Sequence, residues 1–206
     1  MTPSKRAMDI ALALLLGILL AGPILLIALW VFFVDGWPVL YRSERMKTPH
    51  TPFTLWKFRT MKTDHDDTGV SGGYKAARIT RTGRILRRTR LDELPQLYNI
   101  LVGDMSFVGP RPPLRRYVEL RPDIYAEVLR NRPGVTGLAT LTYHAREERL
   151  LAGCRGPQET ETVYLSRCVP AKARLDLFWA RRRSLCYDTA LMFETVRRVF
   201  LKKRPE

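Results

Sequence analysis

Apolar residues crowd the first 34 positions and thin out beyond them. From Ile10 to Val34 the chain reads IALALLLGILLAGPILLIALWVFFV, without a charge. At 1.5 Å per helical residue this run is long enough to cross a hydrocarbon core of about 30 Å. Gly22-Pro23 falls near its middle. Proline has no amide hydrogen and clashes with the preceding turn, so it kinks or breaks a helix. Each half, about 12 residues, then reaches roughly 18 Å and cannot cross alone. Two forms remain: a re-entrant helix–break–helix with both ends at one membrane face, and a kinked single span. Basic residues favour the cytoplasmic side, and both flanks are basic, with Lys5 and Arg6 before the run and Arg42, Arg45 and Lys47 after it. The re-entrant form is therefore the expected one. The run lacks the small-residue cleavage pattern of a signal peptide. Trp30, Trp37 and Tyr41 suit the headgroup level.

After the run the periodicity is weaker. DGWPVLY, 35–41, predicts a turn and a short apolar run, and FTLWKF, 53–58, predicts a strand or extended segment. RSERMKTPHTP between them reads as a polar connection. KTDHDDTGVSGGYKAA, 62–77, predicts a loop; His65, Asp66 and Asp67 could hold a metal there, but a solvated loop is the default. Lys75 and six arginines follow up to residue 90, and Arg78, Arg81, Arg84, Arg87 and Arg88 approximate one helical stripe, which Gly83 weakens. LPQLYNIL, 94–101, predicts a helix opened by Pro95, with Leu94, Leu97, Tyr98 and Leu101 on its buried face. Residues 103–106 and 132–137 read as turns, and 114–130 as a helix interrupted at Pro122. The tract 144–160 is weakly patterned. Residues 174–200 predict one or two helices, with Arg181, Arg182 and Arg183 on a wet or headgroup-facing side.

Charge narrows the choice of ligand. Thirty-five Lys and Arg stand against 20 Asp and Glu, a net charge of +15, which attracts phosphorylated substrates, nucleic acid or anionic membrane lipids. A 46% hydrophobic content excludes a disordered chain. The three cysteines have no metal-ligand spacing, and their odd number argues against a disulfide framework.

The chemistry concentrates in RRTRLDELPQLYNILVGDMSFVGPRP, 87–112, which separates its charges into blocks. Asp92 and Glu93 lie near a helix start, where the backbone favours anions. Adjacent helical residues point in different directions, so one carboxylate can face a reacting phosphorus while the other holds a metal. Arg84, Arg87, Arg88 and Arg90 are candidate phosphate holders. Pro110 and Pro112 preset Arg111, whose planar donor fork suits a phosphate or a base edge. A solvated basic face followed by a rigid loop is the plainer reading of the same residues.

KRAMDIALALLL, YRSERMKTPHTPFTLWKFRTMKTD (41–64), RITRTGRILRRTRLDELPQLYNILVGDMSFVGPRP (78–112), RPGVTGL (132–138) and LDLFWARRRSLCYDTALMFETV (175–196) together resemble the bacterial sugar transferases of the small monotopic phosphoglycosyl transferase family. LDELPQLYN with GDMSFVGPRP is the specific part; residues 144–172 match least. The resemblance implies transfer of a sugar phosphate from a nucleotide sugar, a UDP-sugar above all, to polyprenyl phosphate such as undecaprenyl phosphate. It implies a covalent phosphosugar intermediate on Asp92, with Glu93 binding Mg2+, and a nucleotide site at Pro110, Arg111 and Pro112. The expected fold is a mainly helical α/β membrane-associated domain with short strands and amphipathic interfacial helices. Residues 1–34 would form a re-entrant anchor, and 35–206 a catalytic domain at the cytoplasmic face of the bacterial inner membrane.

Gly22-Pro23 takes the place of the family's usual Ser-Pro break. LATLTYHAREE stands where the family often carries a Gln-containing segment, so Tyr143, His144 and Arg146 would form an altered acceptor-side or sugar-side loop, or one that has simply drifted. Asp104, Asp176 and Asp188 are candidate supports or metal-site residues, with turns and helix caps as their default roles. A homodimer stays open, because the anchor and the basic face could be buried in one. Two other classes compete: an inactive membrane scaffold for glycan assembly and a basic nucleic-acid-binding protein. The uncharged N-terminal run and the Asp-Glu pair argue against nucleic acid as a partner.

Overall fold

A computed structural model describes residues 1–62 and 78–201. The acidic His65, Asp66 and Asp67 cluster and Lys75 lie outside the described residues. Two helices open the chain: α1 (Pro3–Leu19) and α2 (Ala21–Asp35), bent by 62° at Leu20. Neither is long and apolar enough to cross a membrane alone. The break falls just ahead of Gly22-Pro23 for a local reason. In a continuous helix the amide of residue 23 would bond the carbonyl of Leu19, and proline has no such amide and crowds that carbonyl. Pro23 is instead accommodated in the first turn of α2.

The basic residues at the N-terminal flank have partners within the protein. The α1 helix begins at Pro3, capped by the Thr2 hydroxyl, and carries Lys5, Arg6 and Asp9 into the protein. Lys5 Nζ lies 2.5 Å from Asp188 Oδ2, and both side chains are buried. Trp179 Nε1 donates to the other Asp188 oxygen at 2.8 Å. Arg6 donates to the carbonyls of Ile100 and Leu101, and Asp9 Oδ1 accepts from the Phe107 amide. These charges bolt the first helix to the rest of the chain rather than meeting headgroups. Ala13 packs with Phe53, Leu55, Ile100 and Met105. Val31 of α2 packs with Phe58 and Leu86.

Strands β1 (Leu40–Met46) and β2 (Pro52–Phe58) form an antiparallel hairpin. The sequence placed an extended segment at β2, but the reading of residues 42–52 as a polar connection is overturned: RSERM is strand. Its polar side chains mask a period of two, in which Ser43 and Arg45 stand opposite Leu55 and Phe53.

Helix α3 (Arg81–Thr89), capped by the Thr80 hydroxyl, carries part of the arginine stripe. Gly83 does not interrupt it. A Cβ there would lie 2.1 Å from the Thr60 carbonyl oxygen, so glycine permits the close approach of helix and chain. The Asp35 carboxylate accepts from the Thr80 and Thr82 hydroxyls, tying the end of α2 to the start of α3.

A 3-10 turn, Leu91–Glu93, leads into α4 (Gln96–Val102). Of the expected buried face, Leu94, Leu97 and Leu101 pack against the core, and Tyr98 is corrected. Gln96, Asn99 and Ile100 are buried, while Tyr98 is 58% exposed. Asn99 wins its place by bonding: its side chain accepts from the Trp56 amide and donates to the Thr54 carbonyl, satisfying the open edge of β2.

The short strands β3 (Ser106–Val108) and β4 (Gly134–Thr136) pair in parallel, so residues 132–137 are more than a turn. Between them lie α5 (Arg115–Leu120) and α6 (Pro122–Val128), divided at Pro122 as expected. The weakly patterned tract is helical: α7 (Leu138–Ala152) and α8 (Pro157–Val163), followed by a π-helical turn, Tyr164–Cys168. Helices α9 (Val169–Arg182) and α10 (Leu185–Leu201) close the chain. The result is mainly helical, with short strands.

Lys5→Met strands the Asp188 carboxylate in a buried site with one remaining bond. Breaking such a pair costs about 3–5 kcal/mol, so Lys5→Met should unfold far earlier than the parent in chemical denaturation of the detergent-solubilised chain. An unchanged midpoint would remove the pair from the forces that hold α1.

Candidate active site

Three elements deliver the charged groups. The hairpin supplies Lys57 and Arg45. They share a face, because Lys57 pairs with Tyr41 and Arg45 with Phe53, positions separated by even steps. The end of α3 supplies Arg90, whose left-handed backbone (φ 59°) reverses the chain. The Glu93 amide then donates to the Arg90 carbonyl, closing the turn that carries Asp92 and Glu93. The loop after β3 supplies Arg111, between the buried Pro110 and Pro112. That loop starts where two glycines face each other: a Cβ on Gly134 would lie 2.1 Å from the Gly109 nitrogen, and one on Gly109 2.3 Å from the Arg132 carbonyl oxygen. The Gly134 amide donates to the Pro110 carbonyl and the Met46 amide to that of Pro113. Arg111 is thus held from both sides by backbone bonds, as proline restraint led one to expect.

Glu93 is the electrostatic centre. Its Oε1 lies 2.8 Å from Lys57 Nζ, 3.6 Å from an Arg90 nitrogen and 3.9 Å from an Arg111 nitrogen. Burial opposes its charge, but Lys57, Arg111 and Arg90 outweigh burial and hold its pKa at about 2. Asp92 is the opposite case. Burial pushes its carboxyl above the ordinary value, against the pull of Lys57. One oxygen, Oδ2, is 3.9 Å from Lys57 Nζ, and the other, Oδ1, is buried without a hydrogen-bond partner among the described residues. Lys57 is pushed down by burial, with Glu93 resisting. A firmly charged acceptor of cations therefore adjoins a poorly solvated carboxylate with an unengaged oxygen. Such a carboxylate can act as a nucleophile.

A cavity of about 350 Å3 opens beside this cluster. Arg45, Arg90, Arg111, Tyr117, Tyr164 and Asp176 are among its lining residues. Lys172 pairs with Glu147 at 2.9 Å and donates to the Tyr164 hydroxyl. Burial raises Asp176 to about 7, opposed by Lys172. A smaller cleft holds Lys57, Glu93 and Gln96 and shares Arg45, Arg111 and Pro112 with the cavity.

Of the candidate phosphate holders Arg84, Arg87, Arg88 and Arg90, only Arg90 comes within ion-pair distance of the carboxylates among the described residues. The Arg87 Nε donates to the Thr60 hydroxyl, and its charge helps to lower Asp92. Arg84 and Arg88 lie exposed on α3. Asp104 pairs with Lys47 and Asp188 with Lys5, so both are structural, whereas Asp176 lines the cavity. Tyr143, His144 and Arg146 belong to helix α7 rather than to a loop; Tyr143 is buried and His144 lines the cavity. Among the described residues no three His, Cys, Asp or Glu side chains gather into a metal site. The sequence reading missed Lys57 as a site residue. Its signal was a lysine in step with Phe53 and Leu55, where an alternating strand calls for an apolar side chain.

The site joins two adjacent carboxylates to cations from three elements, and comparison with known proteins supplies the family. The chain belongs to the bacterial sugar transferase family, whose profile matches residues 1–202. It is 37% identical over 203 residues to UDP-glucose:undecaprenyl-phosphate glucose-1-phosphate transferase of Escherichia coli K12, covering 97% of this chain and 40% of that protein. It is 38% identical over 196 residues to the Caulobacter vibrioides protein of the same name, covering 93% of this chain and 68% of the relative. It is also 38% identical over 205 residues to the exopolysaccharide production protein PSS of Rhizobium leguminosarum, covering 93% and 92%. The chain thus spans two fifths of the E. coli relative and most of the Rhizobium one.

The two carboxylates have opposite pH signatures. Glu93, held at about 2 against 4.5 in an unfolded chain, stabilises the fold fully above the unfolded value and loses that contribution as pH falls toward 2. Asp92, raised, contributes stability below 3.8 that is lost as pH rises through its folded value. Lys57→Met removes the nearest cation from Glu93 while burial persists, so the Glu93 pKa rises. The acid-unfolding midpoint, followed by circular dichroism from pH 7 to 2, should move to higher pH. A parent-like midpoint would show that the arginines suffice.

Proposed function

We propose that this protein transfers a sugar phosphate from a UDP-sugar to polyprenyl phosphate, with undecaprenyl phosphate as the acceptor, and so initiates glycan or exopolysaccharide assembly. The observation that carries this reading is the unengaged Oδ1 of Asp92 beside a Glu93 ringed by Lys57, Arg90 and Arg111. The names of the relatives support it: UDP-glucose and undecaprenyl phosphate appear in two, and undecaprenyl phosphate and N-acetylgalactosamine in another.

Two displacements account for the chemistry. An Asp92 oxygen attacks the phosphorus bonded to the sugar. The bond from that phosphorus to the bridging oxygen breaks, and UMP leaves with the electron pair. A phosphate oxygen of the lipid then attacks the same phosphorus, the acyl phosphate bond breaks, and Asp92 returns as a carboxylate. Arg111 and Arg90 face charge that grows on the phosphoryl oxygens, in a partly buried site where such contacts are strong. Lys57 keeps Glu93 ionised and lies 3.9 Å from Asp92.

Mg2+ is the cofactor this reading calls for. The hard oxygen donors of an adjacent carboxylate pair fit it, since Mg2+ is commonly held by one or two carboxylates with substrate phosphates and water. Glu93 would hold it, and the ion would offset phosphate charge.

The membrane reading rests on surface rather than on flanking charge. Ile18, Leu19, Leu25, Leu26 and Phe33 are each at least 60% exposed, a large contiguous apolar face on the bent pair. Residues 1–34 would lie re-entrantly in the cytoplasmic leaflet and hold 35–206 at the headgroups. Exposed Arg181 and Arg182 beside Phe178 suit anionic lipids.

Asp92→Asn keeps the shape and removes the nucleophile. Given donor alone, the parent should release one UMP per site and carry a phosphosugar on Asp92, detectable by intact mass and peptide mapping after acid quench; Asp92→Asn should do neither. An adduct that persists in Asp92→Asn would place the nucleophile elsewhere. Arg111→Lys, which keeps the charge but loses the fork, should weaken donor use about tenfold or more.

A further inference from the structure

Arg45 has no role in the reading above, yet its surroundings are unusual. It is half-buried on the inner face of the hairpin. Among the described residues its Nε is buried without a hydrogen-bond partner, and its side chain makes one long contact, 3.5 Å, from a terminal nitrogen to the Pro112 carbonyl. No carboxylate among the described residues lies within ion-pair distance of it. Burial and the charge of Arg111 together lower its pKa to about 10. A guanidinium in this state has lost water without gaining an anion, and it faces a second cation.

Its position says what is missing. Arg45, Arg111 and Pro112 are the residues shared by the large cavity and the cleft that holds Lys57 and Glu93. A ligand that fills the cavity and reaches the carboxylates must cross the saddle between them, and both guanidinium groups border that saddle. We propose that Arg45 is a substrate-binding residue which, with Arg111, takes the oxygens of a substrate phosphate at this saddle. The inference rests on the transferase reading. The phosphate has two sources, the donor diphosphate and the lipid phosphate, and both offer the planar oxygen edge that a guanidinium fork matches.

The test compares parent, Arg45→Met and Arg45→Lys as full chains in detergent. Melting temperature without ligand comes first. Arg45→Met removes an unpaired, partly buried charge and fills the space with an apolar side chain, so it should melt at or above the parent. UDP should raise the melting temperature of the parent and do so less in Arg45→Met. With UDP-glucose or UDP-N-acetylgalactosamine, Arg45→Met should lose about 10- to 100-fold in kcat/KM, as expected for a charge-assisted bond, and Arg45→Lys should lose less. A weaker UDP shift with a slower UMP burst assigns the donor diphosphate. A normal burst with slow discharge by undecaprenyl phosphate assigns the lipid phosphate. Parent-like behaviour in both half-reactions overturns the proposal, as does an early-melting Arg45→Met whose UDP shift is intact. A parent that releases no UMP from either donor would count against the transferase reading, while the UDP shift would still report on Arg45.

Discussion

A buried carboxylate at Glu93 is tolerable only if cations meet it, and that requirement organises the centre of the protein. The cations come from three places distant in sequence: Lys57 from a strand, Arg90 from the end of a helix and Arg111 from a proline-bounded loop. Each needs its element fixed. The hairpin is fixed by Asn99, which bonds the edge of β2. The loop is fixed by the contact of Gly109 with Gly134 and by backbone bonds to β1 and β4. The left-handed Arg90 costs about 1–3 kcal/mol in backbone strain, which the surrounding bonds must offset. Packing serves the charge cluster here as much as it serves the core.

The first helix is part of the same scheme. The Arg6 guanidinium binds the carbonyls at the C-terminal end of α4, where a cation meets the negative end of a helix. Lys5 reaches Asp188 on α10, and Asp9 reaches Phe107, in the strand β3 that leads to Arg111. At the other end of the bent pair, Asp35 binds the threonines that start α3, the helix that ends in Arg90. The apolar pair is therefore anchored at both ends to elements that carry site residues. Displacing it would disturb the site.

Much of this was legible in the sequence where one rule acted alone. Pro23 announced the bend, Pro122 the division between α5 and α6, and the two prolines around Arg111 its rigid loop. The family resemblance singled out Asp92 and Glu93. Reading failed where two rules competed. RSERM looked like a connection because its strand period is carried by polar residues, two of which face inward. The face of α4 was assigned to Leu94, Leu97, Tyr98 and Leu101, but Asn99 is buried because an open strand edge needs its amide. Nothing local shows that Lys5 and Arg6 also have partners 183 and 95 residues away. Attention to the dense arginine run also passed over Lys57, which stands singly in a strand and reaches both carboxylates.

The charges around the site are unequal. Lys57, Arg90 and Arg111 meet the two carboxylates, and Arg45 lines the same cleft without an ion pair among the described residues. Glu93 absorbs most of the attraction of three of them, and Asp92 is left with Lys57 at 3.9 Å and an unengaged oxygen. The remaining positive charge sits at Arg45 and Arg111, which line the cavity. That placement has a chemical consequence. A diphosphate entering the cavity would meet positive charge before it met a carboxylate, and its phosphorus would be drawn toward Asp92 without the repulsion that two bare carboxylates would impose. On the proposed reading of Asp92 as the nucleophile, uneven sharing of the cations would let an anionic nucleophile approach an anionic substrate, a problem that every phosphoryl transfer to a carboxylate has to solve.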